Sequence, residues 1–136
     1  MKIIVIGAVA AGTSATAKAR RNTEDAQITI YEKDSFISYS GCGMPYFLGG
    51  EVEKAEELTP RDPAFFLSKY NVEIKIRHEV LSIDPANKSV LVKNLATGEV
   101  FSDTYDKLIL AIGARAVTPP IPGRELEHVF TLRNIN

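Results

Sequence analysis

The chemistry-bearing residues of this sequence are Cys42, its one sulfur nucleophile, and the set Gly7, Gly12 and Glu32, spaced for a nucleotide. A single cysteine excludes an internal disulfide and a Cys-x-x-Cys redox pair. Composition alone favours a small buried hydrophobe for such a residue. Its surroundings suggest more. Cys42 precedes Gly43-Met44-Pro45, a helix start, where free N–H groups and the helix dipole favour a thiolate. Without an internal partner, the oxidised thiol would be a mixed disulfide with a small thiol, a sulfenic acid or a bridge to another chain.

The second constellation is a turn. Gly7-Ala8-Val9-Ala10-Ala11-Gly12 separates the β-branched run Lys2 to Ile6 from the Ala-, Lys- and Arg-rich helix Thr13 to Asn22. A pyrophosphate needs backbone N–H groups at a helix N-terminus with no side chain in the way. Gly7 can make the tight turn and Gly12 can let the helix pack close. Val9 stands where the fingerprint has its middle glycine, so the turn alone is weak. Its weight comes from Glu32, which ends a second apolar strand (Gln27 to Glu32) 20 residues after Gly12. A carboxylate there accepts hydrogen bonds from ribose hydroxyls and repels a 2′-phosphate. Spacing alone leaves NAD and FAD both open.

These residues require an α/β frame. Strand, helix and strand within the first 34 residues form a βαβ unit with a right-handed crossover. Lys33 to Gly41 is a polar and aromatic loop delivering Cys42 to the short apolar stretch Gly43 to Leu48, which Gly49 and Gly50 end. Glu51 to Glu57 is an acidic surface segment. Asp62-Pro63 is an N-cap with proline at the first helical position, and the helix Pro63 to Tyr70 stops at Asn71, a residue tolerant of left-handed geometry. Val72 to Arg77, Val80 to Asp84, Ser89 to Lys93 and Val100 to Asp103 are short strands between turn residues, read as an antiparallel meander. Lys107 to Ile112 returns to a buried strand ending at Gly113, and Pro119 to Gly123 is an exit from the domain. The expected class is α/β: a Rossmann-like parallel sheet carrying an inserted antiparallel meander, which with the stretch Leu110 to Ala114 tilts the open choice of dinucleotide toward FAD.

Composition sets the bounds. The 136 residues allow one domain, and 45% hydrophobic with 24% charged residues is ordinary for a globular chain. A net charge of −1 gives no footprint for nucleic acid or a membrane surface. Lys2 and the apolar run to Ala11 imitate a signal peptide, but Gly7 and Gly12 interrupt the run and Lys18, Arg20 and Arg21 continue a helical pattern. No stretch reaches the roughly 20 apolar residues of a membrane span, and a cytoplasmic location is expected. No residues have metal-ligand spacing. Lys18, Arg20 and Arg21 form a basic cluster that is either a solvated helix face or a handle for a nucleotide phosphate. His78 reads as a strand-end surface residue, and Tyr39 and Tyr46 as packing or pocket walls.

The segment Phe36 to Gly50, FISYSGCGMPYFLGG, resembles the active-site segment of the single-cysteine flavoprotein disulfide reductases. That group contains coenzyme A-disulfide reductase, NADH oxidase, NADH peroxidase and persulfide or polysulfide reductases. Pro45-Tyr46 followed by Gly49-Gly50 is nearer the coenzyme A-disulfide reductase branch. Further similarity lies in Lys2 to Arg21, Leu58-Thr59-Pro60, Arg77 to Val80, Tyr105 to Leu108, Pro120 to Gly123 and Phe130 to Asn134.

The resemblance implies FAD, a nicotinamide reductant (NADH or NADPH) bound outside this chain, and a redox cysteine beside the flavin. Gly7, Ala8, Val9, Ala10, Ala11, Gly12, Glu32 and Lys33 would hold the ADP part of FAD, and Ala111 to Gly113 would approach the cofactor again. Cys42 would be the redox nucleophile, and Ser14, Lys18, Arg21 and Ser38 match positions that contact coenzyme A. Two residues depart from the branch: Gly41 stands where Asn precedes the cysteine, and Ala111-Ile112-Gly113 lacks the hydroxyl of an Ala-Thr-Gly motif. By the same resemblance, residues 1–123 are the first part of an FAD-binding domain. Residues 124–136 begin a linker to an NAD(P)H domain, ahead of a second FAD segment and a C-terminal dimerisation domain, so the longer protein is expected to be a homodimer. With one βαβ turn, the chain alone is expected to lack a nicotinamide site and to be inactive.

Three functions follow as expectations. In the first, electrons pass from NAD(P)H through FAD and Cys42 to a small disulfide, persulfide or polysulfide such as coenzyme A disulfide. The second is an oxidase or peroxidase cycling Cys42 through sulfenic acid. The third is a non-catalytic nucleotide-binding module.

Overall fold

A computed structural model describes residues 1–135. The chain order is β1 (Lys2–Ile6), α1 (Ala11–Asn22), β2 (Gln27–Tyr31), a 3-10 turn (Gly41–Gly43) running into α2 (Met44–Leu48), a second 3-10 turn (Ala55–Leu58), α3 (Pro63–Tyr70), β3 (Glu73–Lys75), β4 (His78–Asp84), β5 (Ser89–Asn94), β6 (Val100–Thr104) and β7 (Lys107–Leu110).

Two sheets form. The larger has the order β3-β2-β1-β7 with every neighbouring pair parallel, and β4, β5 and β6 make a separate antiparallel sheet. The Rossmann-like expectation and the inserted meander are therefore both met. One strand belongs elsewhere. The run read as the first meander strand, Val72 to Arg77, contributes Glu73–Lys75 to the parallel sheet, beside Thr29–Tyr31 of β2. Asn71, in the left-handed region at φ 50°, reverses the chain after α3 and drops Val72 and Ile74 into the core against Phe66. Apolar burial of about 1.5–3 kcal/mol per large side chain fixes that strand beneath its own helix, and Arg77 at φ 54° then turns the chain into the meander.

The main core packs Ile3, Val5, Ile28, Ile30, Phe66 and Val72 between the parallel sheet and its helices. A second cluster, Ile4, Tyr31, Val90 and Val92, joins the opposite face of that sheet to the antiparallel one. Both faces of β1 and β2 are covered, which is why those strands read as continuous apolar runs.

Helix α1 starts at Ala11, two residues before the expected Thr13, and β7 ends at Leu110, two before Ile112. From Ala111 to Ile135 there is no helix or strand, and Ile112, Val117 and Phe130 are 73%, 79% and 84% exposed. Among the described residues no helix is long and apolar enough to cross a membrane.

Candidate functional site

The parallel strands β1, β2 and β7 end on one edge. Chain direction across the sheet switches there, β2 and β3 lying on one side of β1 and β7 on the other. The crevice outside the carboxyl ends at such a switch is where open α/β sheets bind ligands.

The backbone of β1 enters this crevice through Gly7, at φ 101°. A Cβ at Gly7 would lie 2.3 Å from the Ala111 carbonyl oxygen, and one at Gly12 would lie 1.8 Å from the Gly7 carbonyl oxygen. Both distances are far inside van der Waals contact, so the turn, the first turn of α1 and the Ala111 segment interlock only with glycine at both places. The Ala111 N–H donates to the Ile6 carbonyl at 2.8 Å, which brings Ala111 to Gly113 to the turn. Val9, at the imperfect position of the fingerprint, is half-buried and its carbonyl accepts from the Thr13 hydroxyl, while Ala10 and Ala11 face solvent.

Glu32 is 6% exposed. One carboxylate oxygen accepts the Ala8 N–H at 2.7 Å and the other accepts the Asp34 N–H at 3.0 Å. Each carboxylate oxygen can accept a second hydrogen bond, which leaves capacity for hydroxyl donors. The neighbouring Lys33 is exposed. The glycine cradle and this carboxylate fit the ADP half of a dinucleotide.

The same turn holds the thiol segment. The Ala8 carbonyl accepts the Ser38 N–H at 2.9 Å, so Glu32, Ala8 and Ser38 form a continuous hydrogen-bonded relay. Ser38 takes the left-handed region at φ 49°. Ile37 and Met44 anchor the segment in the interior on either side. The Ser40 N–H donates to the Leu58 carbonyl at 2.7 Å, and Gly43 packs where a Cβ would come within 2.6 Å of the Leu58 side chain. Between these anchors Cys42 is exposed, with a free thiol. Among the described residues Cys42 therefore belongs to neither core cluster.

The basic cluster on α1 divides. Arg20 is structural: its guanidinium donates to the carbonyls of Tyr70 and Asn71, both at 2.7 Å, and to that of Glu24. Ser14 and Arg21 instead line a groove of about 240 Å³ between α1 and α3, with Arg61 and Tyr70 on its far wall. Lys18 is exposed on the same face of α1, one turn from each. Ser38 lies in the thiol segment, apart from that groove.

Arg61 and Arg133 gain roles that the sequence alone did not assign. Arg61 lines the groove. Arg133 donates to the Ala114 carbonyl at 2.7 Å, which brings its guanidinium against Gly113. Tyr39 is half-buried, and burial, offset by Arg133 and reinforced by Asp34 and Glu32, holds its hydroxyl above the ordinary phenol range. His78 stands at the strand end expected, as the first residue of β4, and is half-buried: its ring lies 6.2 Å from those of Tyr31 and Phe101, and its Nδ1 is 2.7 Å from the Ile76 carbonyl oxygen. No cluster of metal-ligating side chains exists among the described residues.

Fold and site together define an α/β protein whose glycine turn fits a dinucleotide, with an exposed thiol in a segment that is hydrogen-bonded to that turn through Ser38. The chain belongs to the pyridine nucleotide-disulphide oxidoreductase family, whose model matches residues 1–136. It is 42% identical over 134 residues to a coenzyme A disulfide reductase of Staphylococcus haemolyticus, covering 98% of this chain and 30% of that relative. An NADH oxidase of Enterococcus faecalis is 36% identical over the same two shares. Among solved structures, the NAD-dependent persulfide reductase from A. fulgidus superposes with a TM-score of 0.89 at 37% identity, over 98% of this chain and 25% of that one. The chain thus spans about 30% of the length of the curated relatives it matches.

Proposed function

We propose that the protein is an FAD-dependent reductase that uses Cys42 to take electrons from NAD(P)H to a small disulfide, persulfide or polysulfide such as coenzyme A disulfide. The observation that carries this reading is the chain of hydrogen bonds Glu32–Ala8–Ser38, which joins the glycine turn to the segment that carries the exposed Cys42 thiol. Gly7 to Gly12 would cradle the pyrophosphate, with Glu32 on the ribose hydroxyls and Lys33 beside the ADP. Ala111 and Gly113 would border the cofactor again from β7. The Cys42 thiolate attacks one sulfur of the substrate; a new S–S bond forms, the old one breaks and the first thiolate leaves. Gly7 to Gly12, Glu32 and Ala111 to Gly113 would hold a flavin whose chemistry is to supply two electrons; with one proton these would reduce the mixed disulfide, so that Cys42 returns to its thiolate and the second thiol is released. Ser14, Lys18 and Arg21 on one face of α1, and Ser38 beside the thiol, are the residues assigned to a coenzyme A-type substrate.

A second reading, an NADH oxidase or peroxidase cycling Cys42 through sulfenic acid, draws on the Enterococcus relative and on the exposure of the thiol. Turnover of coenzyme A disulfide, polysulfide, oxygen and peroxide by the whole protein separates the two. The reading as a whole is tested by spectroscopy. The purified whole protein should carry flavin, and on reduction a long-wavelength shoulder should grow that Cys42→Ser abolishes. A protein without flavin, or a shoulder that persists in Cys42→Ser, refutes it.

A further inference from the structure

We infer that Leu58 is a positioning residue for the Cys42 thiol: its side chain fills the space beside Gly43 while its carbonyl takes the Ser40 N–H, so one residue of the second 3-10 turn holds the backbone on both sides of the cysteine. This rests on reading Cys42 as the redox nucleophile, and adds to it the residue that fixes where its sulfur stands.

Cys42 stands between Gly41 and Gly43, and glycine gives a backbone more freedom than any other residue. A nucleophile flanked in this way keeps one position only if packing from outside the turn holds it there. The Gly41 side is open, since a Cβ there would meet no atom within 4 Å. The Gly43 side is full: a Cβ would lie 2.6 Å from Cδ2 of Leu58 and 3.0 Å from the Ser40 hydroxyl oxygen. Gly43 sits at φ −81° and ψ −20°, a conformation open to any residue. Space, not backbone geometry, is what demands glycine at that place. Two hydrogen bonds complete the hold: the Ser40 N–H donates to the Leu58 carbonyl at 2.7 Å, and the Gly43 N–H donates to the Ser40 carbonyl at 3.0 Å.

Leu58 is only 3% exposed, yet it belongs to neither core cluster. Met44, the residue that follows the thiol turn, is likewise buried outside both clusters. The thiol segment thus has an apolar seat of its own, separate from the cores that hold the sheets. The turn carrying Leu58 is braced to present it: the Glu57 carboxylate accepts the Lys54 N–H at 3.2 Å, and the Thr59 hydroxyl donates to the Glu56 carbonyl at 3.1 Å. Between the two turns the chain folds back on α2, where the Glu51 and Val52 N–H groups both donate to the Tyr46 carbonyl, at 2.9 and 3.2 Å. Residues 40–58 therefore form a closed loop whose ends meet at Leu58, with Cys42 beside the closure. Trimming that side chain leaves a void next to Gly43, and buried apolar voids are not refilled by small shifts of a packed neighbourhood.

Hydrogen–deuterium exchange of the whole protein tests the hold, read at the Ser40 and Gly43 amides, with the Cys42-dependent long-wavelength shoulder recorded on the same samples. Leu58→Ala is expected to speed exchange at both amides by about tenfold or more, through local opening, while β1 and β2 exchange as in wild type. At equal flavin content it should also cut the shoulder by more than half. Leu58→Met conserves volume and should keep both readings. A size swap identifies the contact. Gly43→Ala alone should speed exchange, because its Cβ meets Leu58 while the Ser40 hydroxyl can rotate away; combined with Leu58→Ala, the new methyl enters the emptied space and exchange should be slower than in either single variant. Leu58→Val, a smaller cut, gives the same contrast should Leu58→Ala not fold. Unchanged exchange at Ser40 and Gly43 overturns the inference, as does an undiminished shoulder in Leu58→Ala. Acceleration spread equally over β1 and β2 overturns it too, since that is the mark of a residue that only stabilises the fold, and so does a double variant no slower than the singles. Exchange requires no flavin, so the two readings fail separately: a whole protein without flavin refutes the redox reading, and a flavin-loaded wild type with no Leu58 effect refutes the positioning role alone.

Discussion

At Gly12 the geometry leaves no room at all: a Cβ would lie 1.8 Å from the Gly7 carbonyl oxygen and 3.4 Å from the Ala111 side chain. Backbone, unlike the end of a flexible side chain, cannot move aside without dragging β1 and α1 apart. Gly12→Ala is therefore expected to cost more than about 3 kcal/mol, at the upper end of single substitutions, and to abolish flavin retention. Urea denaturation and flavin absorbance after gel filtration check it; a loss below 1 kcal/mol would mean that the interlock is loose. Glu32 tests the same turn from the other side. Glu32→Gln keeps the shape but turns an amide N–H₂ toward a backbone N–H, leaving one donor unsatisfied at about 1–3 kcal/mol. This part of the site was legible in the sequence because a turn and a strand-end acid are local patterns. Arg61 was not, because the groove exists only when a loop forty residues beyond Arg21 folds against α1.

Among the elements, the joint between α1 and α3 depends on one side chain. Arg20 closes the C-terminal end of α3 by donating to the carbonyls of Tyr70 and Asn71, groups that a helix end otherwise leaves open. Arg20→Met keeps the aliphatic stem and removes the donors. It is expected to destabilise the fold by about 2 kcal/mol, given that hydrogen bonds to charged groups contribute about 1.5–3, without changing the Cys42 thiol's reaction with a disulfide reagent. Chemical denaturation with parallel thiol titration measures both, and a variant as stable as wild type would show that water replaces the guanidinium at no cost. The helices and most strands were readable from caps and periodicity: Asp62 does cap α3, and Asn71 does end it in the left-handed region. The placement of β3 was not. A three-residue strand carries the same alternation whether its partner is parallel or antiparallel, and only the burial of Val72 and Ile74 beneath α3 decides.

Across the whole molecule, the parallel and antiparallel sheets meet at Tyr31, packed with Val90 and Val92, and at a small polar network on the same seam. Asp103 of β6 accepts from the Tyr31 hydroxyl at 2.8 Å and from the Lys2 ammonium, so one carboxylate ties β1, β2 and β6 together. Burial raises the Asp103 carboxyl, but the hydrogen bonds from Lys2 and Tyr31 and the Lys2 charge outweigh it, and the group titrates below the ordinary carboxylate range. Burial and the same hydrogen bond push the Tyr31 hydroxyl up, so it stays a protonated donor throughout the working range. The sign follows from linkage. A carboxyl whose folded value is depressed contributes stability that is fully present above its unfolded value, about 3.9, and is lost as pH falls from there through the folded value. Acid should thus loosen the seam between the sheets below about pH 4, with the neutral-pH stability unaffected by small changes of pH. Asp103→Asn removes the titrating group. It should be less stable than wild type at pH 7 by about 1.5–3 kcal/mol, the range for hydrogen bonds to a charged group, and the gap should narrow as both proteins are taken to pH 3. Urea midpoints at pH 7, 5, 4 and 3 for the two proteins decide the point: a constant gap across that series would show that Asp103 is a packing residue whose charge plays no part in holding the sheets together.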